Sequence, residues 1–384
     1  MTSIFAHATD FDPAEDFDAF LRRVPAKWVV YLLADAEDRP VQLLCVRNLR
    51  SSLLRRLGST ESQGPTRRVN YRDLVRHIHW RRVDSAFEAD WLYYEAARLI
   101  FPQTYQGMVG FRSAWFVHIN PDATLPRYTK TIDLIAKAGR LIGPLEDKHA
   151  AARLMELTED LFDLCRFYNV LSEAPRGKAC AYKEMGKCPA PCDGSISLEQ
   201  YRRLVEWSSR VIVDPEPMVR EQQRRMQQAA AEMRFESAAK IKAFAEQLGQ
   251  LGKGGFRQAR LLQDFRYVSL QRGPRSGAAK LFVITPGRIE MVAGLIREPG
   301  AASDLLRLVL ASADQEMTPL DTGGVERIGI VAHHLFLAKQ SSGVFLRADT
   351  FDDKSLAKAY RELQKQKIKE PTDDEGLLKE LQAL

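Results

Sequence analysis

Residues 161–201 read LFDLCRFYNVLSEAPRGKACAYKEMGKCPAPCDGSISLEQY, and the rest of the chain is best read outward from them. Four of the five cysteines fall here, spaced Cys165-x14-Cys180-x7-Cys188-x3-Cys192. Pro175, Gly177, Gly186, Pro189, Pro191 and Gly194 punctuate the stretch, so it predicts a loop able to fold four side chains around one point. Four thiolates gathered in a cytosolic protein imply a metal or an iron–sulfur cluster rather than disulfides. Buried thiolates repel one another, and a cation core is the physical reason to collect them. There is no Cys-x2-Cys knuckle, which sets [4Fe–4S] ligation ahead of zinc, with zinc as the alternative. The competing reading is four small buried core residues, but core cysteines rarely cluster in Pro/Gly-rich loops. Cys45, in a predicted strand, reads as core.

The chain has 384 residues, enough for two or three domains, and 45% of them are apolar. Lys+Arg exceeds Asp+Glu by 56 to 50, a net of +6. No apolar run approaches the roughly 18 residues that a membrane span needs. The opening MTSIFAHATDFDPAEDFDAF has neither the basic nor the apolar region of a signal peptide. The expectation is a cytoplasmic protein without a membrane partner. Charge is unevenly placed. Residues 1–20 carry Asp10, Asp12, Glu15, Asp16 and Asp18 and no Lys or Arg. Residues 67–82 (RRVNYRDLVRHIHWRR) carry six arginines against Asp73. Arg47, Arg50, Arg55 and Arg56 form a second basic cluster. Arginines interleaved with Tyr71, His77, His79 and Trp80 suit a phosphate backbone with stacking partners; a solvated helix face is the equal alternative.

The class expected is α/β of the α+β kind. Residues 1–24 read as an acidic N-terminal arm leading into a short helix. WVVYLLA (28–34) and VQLLCV (41–46) predict a hairpin around DAEDRP (35–40), and RNLRSSLLRRL (47–57) has helical periodicity. A helix is predicted at about 86–100, with Phe87, Trp91, Leu92, Ala96 and Leu99 as its apolar stripe, ended by Pro102. SAWFVHI (113–119) is a predicted strand. HAAARLMELTEDLFDLC (149–165) and SLEQYRRLVEWSSRVI (197–212) are predicted helices, and 218–250 is a long helical pattern with a break. Beyond GKGG (252–255), YVSLQRG, KLFVITPGRIEMVAGLI and RIGIVA are predicted strands, DLLRLVLASA is a predicted helix, and 352–384 is a charged helical tail.

The cysteine stretch resembles the four-cysteine region of UvrC, the nuclease subunit of bacterial nucleotide excision repair. The C-x-APC-x-G-x-IS-x-E-x-Y run of residues 188–201 carries the resemblance, although the first gap is longer than usual. It implies that Cys165, Cys180, Cys188 and Cys192 hold a [4Fe–4S] cluster. MVREQQRRMQQAAAEMRFESAAKIKAFAEQL (218–248) is similar to the UVR motif, a helical hairpin with an FE-x-AA core, here Phe235, Glu236, Ala238 and Ala239. The family implies a UvrB-like partner docked through Met233, Phe235, Ala239 and Ile241; an ordinary amphipathic hairpin is the alternative. VPAKWVVYLLADAEDRPVQLLCVRNLRSSLLRRL (24–57) resembles the opening of a GIY-YIG nuclease domain. The expected segments are a 1–24 arm, a 25–107 GIY-YIG-like domain, a 108–214 four-cysteine domain, a 215–251 UVR-like hairpin, a 256–350 α/β domain and a 351–384 tail.

The departures bear on chemistry. The first nuclease triplet survives as Val29-Val30-Tyr31, while the second falls on Gln42-Leu43-Leu44. The following lysine would be Cys45, the helix arginine Ser52 and the metal-binding glutamate Tyr93, with Glu95 two residues away. Two residues turn a helix by about 200°, so Glu95 should face away from that position. Phosphodiester cleavage needs a carboxylate for Mg²⁺ or Mn²⁺ and cations for the phosphate. Of that set Tyr31 remains, and Glu95 only if the register slips. The domain is therefore expected to be catalytically degenerate, and the DNA contacts to come from Arg47, Arg50, Arg55, Arg56, Arg67, Arg68, Arg81 and Arg82. Residues 256–350 show no acidic triad and resemble the α/β segment that precedes the family's RNase H-like domain, so that second nuclease is expected to be missing. The competing functions are a divergent metal-dependent endonuclease and an interaction protein that competes for UvrB without touching DNA.

Overall fold

A computed structural model describes residues 4–58, 70–110, 112–296, 300, 303, 306–307, 319–337 and 343–365. Arg67, Arg68, residues 366–384 and the helix expected at 304–313, apart from Leu306 and Arg307, lie outside the described residues. Among the described residues, three four-stranded sheets carry the α+β fold, and every strand pairing in them is antiparallel.

The first sheet runs in the order His7–Asp10, His77–Arg82, Val29–Ala34, Pro40–Val46. The predicted hairpin forms one side of it, with Pro40–Val46 at the edge, Val29–Ala34 inside and Tyr31 opposite Leu44. Its strand Val29–Ala34 is buried along its whole length because helices cover both faces. Helices Phe17–Arg23 and Leu49–Leu57 seal one face around Phe20, Tyr31, Leu49 and Leu53. Helix Ala86–Ile100 seals the other through Leu92 and Ala96 against Val30 and Leu32. Part of the acidic N-terminal segment is thus an edge strand, His7 pairing with Trp80. Its residues are exposed on both faces, so no alternation betrays it. His77–Arg82 is likewise a strand, with Ile78 and Trp80 turned into the core and the His and Arg side chains between them.

The second sheet runs Thr129–Thr131, Trp115–Ile119, Arg140–Leu145, Arg260–Leu261. Helices Lys148–Leu161 and Leu198–Val211 pack on it through Leu154, Tyr201 and Val205. Asp147 caps the first, and Ser197 with Gln200 forms a capping box on the second. Helices Glu216–Ala231 and Phe235–Leu248 follow as an antiparallel hairpin. The chain then returns to this same sheet through Arg260–Leu261.

The third sheet runs Arg288–Ile296, Ala279–Thr285, Tyr267–Arg272, Val344–Arg347. RIGIVA (327–332), expected as a strand, lies inside the helix Thr322–Phe336, which Asp321 caps. The reason is burial on several sides. Ile328, Ile330, Val331 and Leu335 are all buried, so the apolar residues run around the helix and imitate a buried strand.

Helix Ala86–Ile100 joins the first sheet to the C-terminal unit along its whole length. Lys280 Nζ lies 2.6 Å from Glu88 and 2.8 Å from Asp84. His334 meets Asp90 at 2.8 Å, and Glu326 accepts from Tyr94 at 2.6 Å and Tyr105 at 2.9 Å. Phe87 packs edge-on against Phe282 and Phe345. Leu99, expected on the apolar stripe, is exposed. No helix among the described residues is long and apolar enough to cross a membrane.

Candidate functional site

Tyr31 is completely buried, and its hydroxyl shares a 2.8 Å hydrogen bond with Ser52, the residue at the expected arginine position. Burial pushes the phenol up from its ordinary value, against the pull of the neighbouring Arg56. Arg56 donates to Gln42 at 3.0 Å and lies over the Tyr71 ring. Tyr31 and Ser52 are therefore a buried polar pair, with Arg56 and Gln42 half-buried beside it. Cys45 and Tyr93 pack beyond the opposite face of the sheet. Burial pushes the Cys45 thiol up to about 12, and the Tyr93 phenol to about 12 with the Cys45 thiol adding to it. Glu95 is on that second side as well, in a two-pronged ion pair with Arg327 at 2.6 and 2.9 Å. Tyr31 and Glu95 are not brought together, and neither faces an open recess with the other. Tyr31→Phe is expected to cost about 1–2 kcal/mol by stranding the Ser52 hydroxyl, read as a lower urea midpoint, with DNA affinity unchanged.

Among the described residues, the arginines expected to contact DNA have scattered partners. Arg50 and Arg55 are exposed on helix Leu49–Leu57, and Arg50 also donates to the Val24 carbonyl at 2.7 Å. Arg47 stacks over Trp28 at 3.5 Å. Arg81 reaches the Ile4 carbonyl at 3.4 Å, and Arg82 pairs with Asp84 and donates to the Pro274 carbonyl, both at 2.9 Å. Arg72, in the same run, spans to the Leu57 and Pro13 carbonyls. His77 and His79 bond Asp10 and Asp38, and Trp80 stacks on His7. Much of the basic run is thus internal strutting between backbone segments.

The cysteine loop is drawn together by local contacts. The Cys165 amide donates to the buried Tyr201 hydroxyl at 3.2 Å. Gly177 N–H donates to the Cys192 carbonyl at 2.8 Å; a Cβ there would sit 2.7 Å from Glu173 Cβ, so glycine is required for this approach. Ala190 and Gly194, on either side of Cys192, are both left-handed. The Cys165 thiol donates to the Phe167 carbonyl at 3.5 Å, and its interaction with Cys188 lowers the Cys188 thiol and raises Cys165. Burial and then Asp193 raise Cys192. Cys180 caps the short helix Ala181–Glu184, whose Tyr182 ring lies 4.3 Å from the Arg166 guanidinium and packs against Phe167. That clamp returns the Cys180 segment to the one bearing Cys165. Among the described residues, no three Cys, His, Asp or Glu side chains stand at metal-ligand spacing about one point. The donor set, thiols alone on a tightly turned loop, has the chemistry of iron–sulfur or zinc ligation.

At the hairpin, Met233 takes φ 56° in the turn between the helices and is 78% exposed, while Phe235 is 66% exposed. Ala239 is exposed one turn beyond Phe235, and Ile241 is half-buried. Ala238, Ala245 and Leu248 face inward. Two large apolar side chains at a solvated tip form a small surface with a shape that can be inserted into a partner.

Residues 114–210, from the second sheet through all four cysteines to helix Leu198–Val211, match the family model of the UvrC/Cho excinuclease middle domain. UvrABC system protein C of Corynebacterium jeikeium is 25% identical over 281 residues, 72% of this chain and 40% of that protein. Its counterpart in Caldanaerobacter subterraneus is 27% identical over 232 residues, 59% of this chain and 37% of that protein. That of Rhodococcus erythropolis is 25% identical over 331 residues, 80% of this chain and 44% of that protein. The chain spans about two fifths of the length of the curated relatives it matches. No solved structure matches it significantly.

Proposed function

We propose that this UvrC-like chain serves nucleotide excision repair in the cytoplasm as a DNA-binding factor, with a four-thiolate cluster and a hairpin that docks a UvrB-like protein, and that it does not itself cut DNA. The match of residues 114–210 to the excinuclease middle domain is the observation that carries this reading. The loss of cutting is supported by Tyr31, which is sealed beneath helix Leu49–Leu57, and by Glu95, which is committed to Arg327. A metal-dependent nuclease needs its carboxylate and its phosphate-neutralising cations around one accessible point. The cysteines would hold a [4Fe–4S] cluster, or zinc in its place, and the cluster would fix the loop between two helices rather than act on substrate. Docking would insert Phe235 and Met233 into a matching hairpin of the partner, with Ala239 allowing close approach.

The test uses the full chain with a UvrB-loaded lesion duplex in Mg²⁺ or Mn²⁺. A stable complex without incision is expected. Phe235→Ala should weaken the UvrB complex at least about tenfold while leaving DNA affinity and the absorption of the protein unchanged. Undiminished UvrB binding by that variant would reject the docking role. Incision abolished by Glu95→Ala would restore the endonuclease reading.

A further inference from the structure

We infer that the recess where helix Ala86–Ile100, the second sheet and helix Thr322–Phe336 meet binds an alkylammonium ion, its charged head on Glu326 and its apolar stem over Ile132 and Ile135. The recess encloses about 430 Å³, at the small end of the range for small-ligand pockets, and such pockets favour the junctions between units. Tyr94 faces it from helix Ala86–Ile100, and Tyr105 from the short helix Tyr105–Met108. Ile132 and Ile135 follow strand Thr129–Thr131 of the second sheet. Glu326 belongs to helix Thr322–Phe336 of the C-terminal unit.

Charge decides what the recess can take. Glu326 is 6% exposed, and its partners are tyrosine hydroxyls: Tyr94 donates to Oε2 at 2.6 Å, and Tyr105 to Oε1 at 2.9 Å and Oε2 at 3.1 Å. Burial first and Glu326 second raise both phenols, so both stay protonated donors. The cations that bear on Tyr94 are already matched, Arg98 by Asp321 at 3.3 Å and Arg327 by Glu95 at 2.6 Å. Asp133, the other carboxylate of the lining, is matched by Lys137 at 3.4 Å. Three cations against four carboxylates leave one negative charge, that of Glu326. A carboxylate offers about four lone-pair sites, so one remains on Oε1 for an N–H donor.

The walls suit a cation that carries a stem. Arg327 already lies 5.9 Å from the Tyr94 ring, while the Tyr105 ring, edge-on to Tyr94 at 6.3 Å, is the one left to a ligand. An ammonium is attracted to such a ring face, the more so where water is excluded. Ile132 and Ile135 are 42% and 40% exposed, apolar surface that a chain of methylenes would cover. A bare divalent cation fits poorly, because it wants six or more oxygen ligands. Among the described residues, no three Cys, His, Asp or Glu side chains gather to supply them.

The test is isothermal titration of the full chain with n-pentylammonium, with 1-pentanol as the neutral isostere. The ammonium should bind at least about tenfold more tightly than the alcohol. Glu326→Gln should weaken it at least about tenfold. Ile135→Lys sets a like charge on the exposed rim without disturbing the core, and should weaken it by a similar factor, so the test stands even if the buried substitution unfolds the helix. Because the walls come from separate units, the ligand should also slow amide exchange across residues 86–100 and 322–336. Spermidine and N-acetyl-lysine methylamide separate a free polyamine from a lysine side chain of a partner protein; tighter binding of either supports the site and names its source. Equal affinity for pentanol and pentylammonium overturns the charge assignment. Pentylammonium affinity unchanged in Ile135→Lys, or no binding of any of the three cations to the wild-type chain, overturns the site.

Discussion

Replacing Lys280 by Met is expected to destabilise the junction between the first sheet and the C-terminal unit by about 3–5 kcal/mol, the range for removing one partner of a buried ion pair. The side chains of Lys280, Asp84 and Glu88 are 9%, 7% and 2% exposed, so neither carboxylate can recover its hydration when the ammonium is gone. Arg82 compensates Asp84 from the rim at 2.9 Å, which leaves Glu88 as the stranded charge. The pH dependence follows from the sign of its shift. Burial raises Glu88 above its ordinary value and Lys280 opposes that rise. A carboxyl raised in the folded state holds protons that the unfolded chain has released, so stability falls as pH climbs from the ordinary glutamate value through the raised one. Without Lys280 the rise is larger and the fall steeper. The variant should therefore be most impaired near neutrality and should recover toward pH 5. Hydrogen exchange across residues 86–100 reads the junction directly. Adding Glu88→Gln to Lys280→Met should restore much of the loss, because a neutral amide costs less to bury than a carboxylate. A loss below about 1 kcal/mol in the single variant would mean that water reaches Glu88.

The same junction shows what is legible in the sequence and what is not. Elements that bury one face and begin with a cap were readable. The hairpin 28–46 was readable as two apolar runs around a turn, and Asn48, Ser85, Asp147 and Ser197 immediately precede the helices they cap. The helix 86–100 was readable as a helix, but its second face was not. Asp84, Glu88, Asp90 and Glu95 look like a solvated charge row until Lys280, His334 and Arg327 arrive from about two hundred residues away. Helix Thr322–Phe336, apolar on several sides, imitated a strand for the complementary reason. The short strands His7–Asp10, Thr129–Thr131 and Val344–Arg347 carry too few residues for any period to register.

Candidate sites divide along the same line. The cysteines and the hairpin tip are local in sequence, so spacing and motif could nominate them. The sealing of Tyr31 by Ser52 needed the strand and helix to be placed before it could be seen. The pairing of Glu95 with Arg327, 232 positions away, is gathered by no local pattern. The conspicuous run 67–82, by contrast, spends Arg72, Arg76 and Arg82 on backbone carbonyls. Density of charge along the chain was a poor guide to density of charge on the surface.

On the proposed cluster reading, replacing Cys188 by Ala is expected to remove the metal and to loosen residues 165–192, because Cys188 is one of its four proposed ligands. It is buried, and the left-handed turn at Ala190 follows it two residues before Cys192. A three-thiolate remnant has lost a quarter of its ligands, and metal binding in small sites of this kind is itself folding free energy. The native protein, purified without oxygen, should show the broad visible absorption of an iron–sulfur cluster, with about four iron atoms per chain. Cys188→Ala should be colourless and iron-free, and trypsin should cut it faster at Arg176, Lys178, Lys183 and Lys187, all within the loop. Cys45→Ala is the control. That thiol is in strand Pro40–Val46, accepts a hydrogen bond from Trp28 at 3.3 Å and lies in the first sheet, outside the four-cysteine loop. Its loss should leave colour and iron unchanged. Stoichiometric zinc in a colourless native protein would replace the iron–sulfur assignment with a zinc one while keeping the same four ligands. A Cys188→Ala protein that retains full metal would break the ligand assignment itself, since a preserved site could not then depend on that thiol.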